Sequence, residues 1–508
     1  MSRSSKTLPP SQAVIVYRTM AAYTGLIGGL FGALMMVPFV CCLLWNEDRS
    51  LAAAFALPAA LLIFAGLLVW HRVMPGRHPA LKIEQGGVIV VSSWVLCSLA
   101  AMWPFFAGRD LPFTLAVFEA VSGLTTTGLS VLDVTATPST LLLWRSLMQL
   151  AGGAGLTIIM LAAIAGPSGT GLSGAEGRGE QLVPHVRKSA TLVLALYSAY
   201  AAAGTLAYRL AGMNGFDAVN HAFAAVSTGG FSTRPGSIGY WNSPAVEAVS
   251  LVLMFLGNFN FVTAYLLFTG RFREVFRNAE LRFFASSLFF AACLLFVSTT
   301  EGLYAGLFKA LRVALFETVT ALTTTGFTTV GYDAWPGLGF HVLVILMLIG
   351  GGTGSTAGGI KQFRVLLLAK AAGWEVQRTL LPRTAVVERG VWMGQRMEFV
   401  TDATLRKLGA FIFFYFTSSA AGTGILAACG YPLQDSAFEF ASAIGTVGLS
   451  VGITGPHAPA VVLWAEIIGM FLGRLEFMIV LATALKAFRA LRTFLRDTAG
   501  AAARKSNR

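Results

Sequence analysis

The sequence predicts an all-α polytopic membrane protein. An N-terminal transmembrane hairpin precedes four pseudosymmetric repeats, each a helix, a short pore helix, a filter phrase and a return helix, set around one pore. Three observations predict this. First, of 508 residues 55% are hydrophobic and only 12% charged, with a mean hydropathy of +0.69. Soluble domains carry about 25% charged residues, so a string of soluble domains is excluded. Second, long apolar stretches alternate with ones too short to cross a bilayer. Third, one phrase occurs four times: Thr126-Thr127-Gly128-Leu129-Ser130, Thr228-Gly229-Gly230-Phe231-Ser232, Thr324-Thr325-Gly326-Phe327-Thr328 and Thr446-Val447-Gly448-Leu449-Ser450.

The net charge of +13 would suggest nucleic acid in a soluble protein. Here the basic residues concentrate in alternate loops, which is an orientation signal, and no nucleic-acid partner is expected. The 55 glycines suit close helix packing and non-helical filter segments. The five cysteines lie in or beside apolar stretches without metal-ligand spacing, and read as small core residues. No cleavable signal peptide is expected, because the first apolar stretch is long enough to span.

Residues 1–85 form the hairpin, with Ala21–Leu44 and Leu51–Trp70 as its crossings. Each exceeds or matches the roughly 20 residues that a bilayer core requires. Repeat 1 (residues 86–185) has a helix from Gly86 to about Phe106, a short helix Pro112–Leu124 and a return Thr140–Ala165. Repeat 2 (186–280) has Ala190–Ala211, Phe216–Ser227 and Ala245–Phe268. Repeat 3 (281–400) has Phe283–Val297, Leu307–Leu322 and a return from Gly339 to about Leu368 that carries a Gly-rich interruption. Repeat 4 and a basic tail (401–508) have Leu408–Cys429, Ser436–Ala443 and Ala460–Leu485. Apolar helices too short to cross, each running into a filter phrase, read as re-entrant.

The repeat extends beyond the phrase. Nine positions before each filter glycine stand Glu119, His221, Glu317 and Glu439, preceded by Phe118, Asn220, Phe316 and Phe438. The second copy departs, so strict fourfold symmetry is not expected. The three glutamates are expected to anchor their helices rather than to ring the ion path, and His221 likewise. Asn258 and Asn260 interrupt an apolar crossing and either line the cavity or bridge helices.

Lys and Arg counting sets the orientation. Arg271, Arg273, Arg277 and Arg282, the loop from Lys361 to Lys407 and the tail from Lys486 to Lys505 lie on one side. That side is expected to be cytoplasmic, with both termini inside, ten crossings, and filter phrases opening outward.

A cation within a membrane must exchange its water shell for other oxygens, and backbone carbonyls supply them without net charge. Glycine permits the backbone that aims them, and threonine adds a hydroxyl. Each short helix ends at its phrase, so its C-terminal dipole favours a cation there. One Thr-x-Gly turn is commonplace; four in register after four short helices point to one ion filter. The candidate filter residues are Thr126, Thr127, Gly128, Thr228, Gly229, Gly230, Thr324, Thr325, Gly326, Thr446, Val447 and Gly448. No metal-ligand cluster or nucleophile–base pair supports the remote alternative of a membrane enzyme or receptor.

These phrases, the run Gly350-Gly351-Gly352-Thr353-Gly354-Ser355-Thr356-Ala357-Gly358-Gly359-Ile360-Lys361, and Gly473-Arg474-Leu475-Glu476 resemble the Trk/Ktr/HKT superfamily of potassium transporters, most closely its bacterial Trk membrane subunit. The resemblance covers nearly the whole chain. It implies a channel-like K⁺ uptake pathway in the bacterial cytoplasmic membrane, with K⁺ as bound substrate and no organic cofactor in this chain. It also implies a homodimer in membrane lipid and a cytosolic nucleotide-binding regulatory subunit of the TrkA type. A glycine at the position of Gly128 goes in the family with K⁺ passage, serine with Na⁺. A Na⁺-permeable or K⁺/Na⁺-coupled transporter is the alternative.

The Gly-rich run breaks the third return helix. Each glycine costs a helix about 1 kcal/mol relative to alanine, and broken helix at membrane depth is tolerated where it lines a cavity or is buried in protein. The run loosely matches a dinucleotide-binding pattern, but no strand precedes it. It reads instead as a gate below the filter, as in the resembled family, with Gly350 to Gly359, Lys361 and Arg474 as its residues. Arg474 is an intramembrane charge, expected to be functional. It would repel cations or pair with carbonyls of the Gly-rich loop; the alternative is a structural salt bridge to Glu476 or another carboxylate.

Overall fold

The protein is seen in a computed structural model that describes residues 10–47, 49–73, 83–153, 186–382, 389–393, 396–475, 477, 480–481 and 483–485. The hairpin is α1 (Pro10–Leu44) and α2 (Arg49–Val73). Next come α3 (Ile83–Arg109), α4 (Phe113–Leu124) and α5 (Ser139–Gly153). They are followed by α6 (Val186–Leu210), α7 (Gly215–Val226), α8 (Pro244–Asn258), α9 (Phe261–Phe268) and α10 (Phe272–Arg277). Then come α11 (Ala279–Leu295), α12 (Leu307–Leu322), α13 (Gly337–Ile349) and α14 (Gln362–Leu380). Strands β1 (Gly390–Met393) and β2 (Arg396–Phe399) precede α15 (Asp402–Ala428), α16 (Leu433–Gly445) and α17 (Ala460–Arg474).

Five described helical spans are long and apolar enough to cross a membrane: Ile15–Leu44, Arg49–Val73, Gln85–Arg109, Ala279–Leu303 and Asp402–Ala428. The fourth is longer than the sequence predicts. Asn278 caps it, its Oδ1 accepting from Glu280 N at 2.9 Å, and a π-helical turn at Phe296–Thr300 carries the helix on to Leu303. An apolar window misses a start built from polar capping residues.

Helices α4, α7, α12 and α16 have 12, 12, 16 and 13 residues, too short to cross. The return helices α5, α8, α13 and α17 have 15, 15, 13 and 15. This corrects the expectation that the second and fourth returns are continuous. The second breaks at Phe259–Asn260 before α9, and the fourth stops at Arg474, where Leu475 is extended. The first, beyond Gly153, lies outside the described residues, as do most of the tail and Glu476.

A glycine recurs at one step of the return helices. Counted from the first residue of each return helix, position fourteen is Gly152, Gly257, Gly350 (just past the end of α13) or Gly473. In α5, α8 and α17 this glycine lets the return helix lie against the end of its own short helix. A β-carbon at Gly152 or Gly473 would run into the carbonyl oxygen of Leu124 or Ile444; one at Gly257 would sit 2.7 Å from the Val226 oxygen. Overpacking of this kind costs about 1–3 kcal/mol. Gly257→Ala is therefore expected to lower the melting midpoint of the detergent-purified protein, read by size exclusion after heating. An unchanged midpoint would contradict the close packing.

The stretch from Lys361 to Lys407, expected as a basic loop, carries regular secondary structure where described. It holds α14 and an antiparallel hairpin pairing Gly390 with Phe399 and Trp392 with Met397. Arg277 lies over the Trp392 ring at 4.2 Å, tying the hairpin to α10.

Candidate ion filter

Each short helix ends in the same way. The amide of Thr126, Thr228, Thr324 or Thr446 bonds back to Gly123, Ala225, Ala321 or Ala443, at 3.1–3.2 Å. The next amide, of Thr127, Gly229, Thr325 or Val447, reaches one residue further back, to Ser122, Ala224, Thr320 or Ser442, at 2.8–2.9 Å. This pair of bonds is the Schellman ending, which demands a left-handed residue normally filled by glycine. Here it is threonine all four times, with φ of 57°, 50°, 52° and 49°. A β-branched residue in this region is strained, and such strain clusters at functional sites. Two residues on, Gly128, Gly230, Gly326 and Gly448 are also left-handed, with φ of 91°, 73°, 85° and 96°.

The four phrases form a closed ring. A β-carbon on Gly128 would collide with the carbonyl oxygen of Gly229, on Gly230 with that of Thr325, on Gly326 with that of Val447, and on Gly448 with that of Thr127. Each glycine therefore faces the carbonyl of the next phrase, and the fourth returns to the first. Side chains of all four strained threonines are buried. Among the described residues, Thr126 Oγ1 and Thr446 Oγ1 have no hydrogen-bond partner.

The glutamates stand behind the ring. Glu119 accepts from Val131 N at 3.1 Å, Glu317 from Thr329 N at 2.9 Å and Glu439 from Val451 N at 2.9 Å, each twelve residues on. His221 Nε2 meets Ser232 Oγ at 2.9 Å. These contacts pin the chain leaving each phrase to the helix entering it. Arg145, unnoticed in the sequence, binds Glu119 at 2.6 Å and Ser232 O at 3.2 Å and lies over Phe231, joining the first phrase to the second.

The Gly-rich run touches the second, third and fourth phrases. Thr356 Oγ1 lies 3.1 Å from Thr228 Oγ1 and donates to Gly257 O at 2.9 Å. Gly358 N donates to Thr324 Oγ1 at 2.7 Å. A β-carbon on Gly358 would strike Thr446 Oγ1 and the Gly445 carbonyl, so only glycine fits. Arg474 donates to Thr356 O and to Gly152 O, both at 2.6 Å, bridging the run to the end of α5.

The run is closed on itself by Gly351 N to Gly358 O, Ile360 N to Leu348 O and Lys361 N to Ile349 O, and Lys361 Nζ donates to Ala357 O. Ser355 Oγ donates to Gly352 O at 2.6 Å. Asn258 Oδ1 accepts from Gly352 N at 2.9 Å, and Glu280 Oε1 from Thr353 N at 2.7 Å and Phe363 N at 3.2 Å. Asn258 thus bridges to the run, and Asn260 packs against Gly354. Glu280 carries no sequence signal: it reads as an ordinary acidic residue near a helix start. Gln149 was also missed, although a lone polar residue within Leu147–Leu150 was the available clue.

The chain matches the family model described as "TrkH: Cation transport protein" over residues 52–490. It is 31% identical over 478 residues to the "Trk system potassium uptake protein TrkG" of Escherichia coli K12, covering 90% of this chain and 96% of that one. It is 29% identical over 491 residues to the "Trk system potassium uptake protein TrkH" of Vibrio parahaemolyticus, covering 92% and 98%. The fold superposes on the crystal structure of the potassium transporter TrkH from Vibrio parahaemolyticus with a TM-score of 0.81, over 92% of this chain and 98% of that one. With a ring of four glycine-bearing phrases in a helical membrane fold, the chain belongs to the TrkH family of cation transport proteins.

Proposed function

We propose that the chain carries K⁺ into the cell through a pore whose filter is the four Thr-x-Gly phrases, under the control of the Gly-rich run and Arg474. The observation that carries this reading is the ring: the carbonyls of Thr127, Gly229, Thr325 and Val447 each lie beside the glycine of the neighbouring phrase. A dehydrated cation on that axis is offered carbonyl oxygens in place of water. One step below, Thr126 and Thr446 offer hydroxyls that no group among the described residues occupies. Four helix C-termini converge there, each worth about 0.3–1 kcal/mol to a cation. The relatives named as potassium uptake proteins supply the identity of the ion.

The run from Gly350 to Lys361 holds the threonines of the second and third phrases, so an ion leaving the filter inward meets it next. We assign it as the gate, with Arg474 as its clasp. The name Trk system implies more than one component, and we infer a homodimer acting with a cytosolic nucleotide-binding subunit. The test is tracer flux in proteoliposomes under imposed gradients of Rb⁺ or Na⁺. Rb⁺ uptake well above Na⁺ uptake is expected; equal fluxes would overturn K⁺ selectivity.

A further inference from the structure

We propose that Gln149 is a selectivity-determining positioning residue, which holds the second filter carbonyl in place of a hydroxyl that this phrase lacks. The proposal rests on the filter reading above. Gln149 is fully buried on α5. Its Nε2 donates to Gly229 O at 2.6 Å and its Oε1 accepts from Phe231 N at 3.2 Å. Both ends of the amide are thus spent on the second phrase, although the residue belongs to the first return helix. Gly229 O is the ring carbonyl that faces Gly128.

The first and third phrases show what this replaces. Thr127 and Thr325 share hydroxyl hydrogen bonds of 2.8 Å with Thr125 and Thr323, at the end of their own short helices, while Val447 in the fourth has no hydroxyl but fills its place with an apolar side chain. Gly229 has no side chain with which to do this. Nor does it need glycine's backbone, since it is not among the left-handed positions. Its amide bonds back to Ala224 as the equivalent amides of Thr127, Thr325 and Val447 do. What forbids a side chain is Gln149 itself: a β-carbon at Gly229 would lie 2.6 Å from Oε1 and 2.8 Å from Nε2. At the same step, the eleventh residue of the return helix, the other three carry Met254, Met347 and Met470. Methionine cannot donate a hydrogen bond. The pair Gly229 and Gln149 is therefore one device, a gap in the second phrase filled by an amide from the neighbouring repeat.

The experiment compares Rb⁺ and Na⁺ flux in proteoliposomes for three variants, with Gly128→Ser as the control on the filter itself. Gln149→Met keeps the volume and removes both hydrogen bonds; the Rb⁺:Na⁺ ratio is expected to fall about fivefold. Gly229→Ala alone collides with Gln149 and is expected to lose uptake by about tenfold. Gly229→Ala with Gln149→Ala removes the collision, and is expected to recover most of the uptake while the ratio stays low. A double variant no better than Gly229→Ala overturns the proposal, and this arm decides if Gln149→Met does not fold. An unchanged ratio in folded Gln149→Met also overturns it, while a lowered ratio in Gly128→Ser shows the filter reading still standing. If neither variant moves the ratio, the filter reading itself falls.

Discussion

Gly128→Ser is expected to lower the Rb⁺:Na⁺ flux ratio by at least about tenfold, with the protein still folded. Two effects add. The backbone at Gly128 has φ of 91°, where a side chain costs about 1–3 kcal/mol. Its β-carbon would also collide with the Gly229 carbonyl oxygen, a member of the ring. The strain and the collision can be relieved only by moving a filter oxygen, and a difference of 1.4 kcal/mol between two ions is already about tenfold. Gly212 provides the control. Its φ is 106°, but nothing lies within 4 Å of a β-carbon there. Gly212→Ala should therefore lower the melting midpoint through backbone strain and leave the ion ratio unchanged. Equal ratios for wild type and Gly128→Ser would show that this glycine does not shape the ion site.

What the sequence showed and what it hid follow from the range of each interaction. The four phrases were legible because each needs a particular residue at a particular step: a left-handed position, a glycine facing its neighbour, and nine residues earlier a glutamate or, in the second copy, His221. Local chemistry leaves local marks. The short helices were legible for the same reason, since length against bilayer thickness is a one-dimensional measurement. The breaks in the second and fourth return helices were not. Gly257 and Gly473 stand in strongly apolar stretches, where hydropathy alone favours one continuous crossing. Their meaning lies in a carbonyl on another helix, at Val226 and Ile444. Glu280 and Gln149 were hidden further, because their partners lie 73 and 80 residues away. Asn258 was visible as an intruder in an apolar run, but its partner Gly352 is 94 residues on.

Arg474→Ala is expected to raise Rb⁺ flux through the chain alone by about tenfold or more. The Arg474 guanidinium joins Thr356 O in the Gly-rich run to Gly152 O at the end of α5. Each is a hydrogen bond from a charged donor, worth about 1.5–3 kcal/mol. Losing both loosens the run over the pore, and losing the positive charge lowers the barrier to a cation passing it. Opening will be incomplete, because Asn258, Glu280, Thr228 and Thr324 still hold the run. Arg474→Lys separates the two effects. It keeps the charge, but an ammonium on a flexible stem lacks the planar fork that reaches two carbonyls at once. If charge sets the barrier, the Lys variant stays as closed as wild type; if the clasp does, its flux approaches that of the Ala variant. Flux in Arg474→Ala at or below wild type, in protein with an unchanged melting midpoint, would remove Arg474 from the gate. The run would then be held shut by its ties to α8, α11 and the second and third phrases, and the first repeat would have no part in closing the pore.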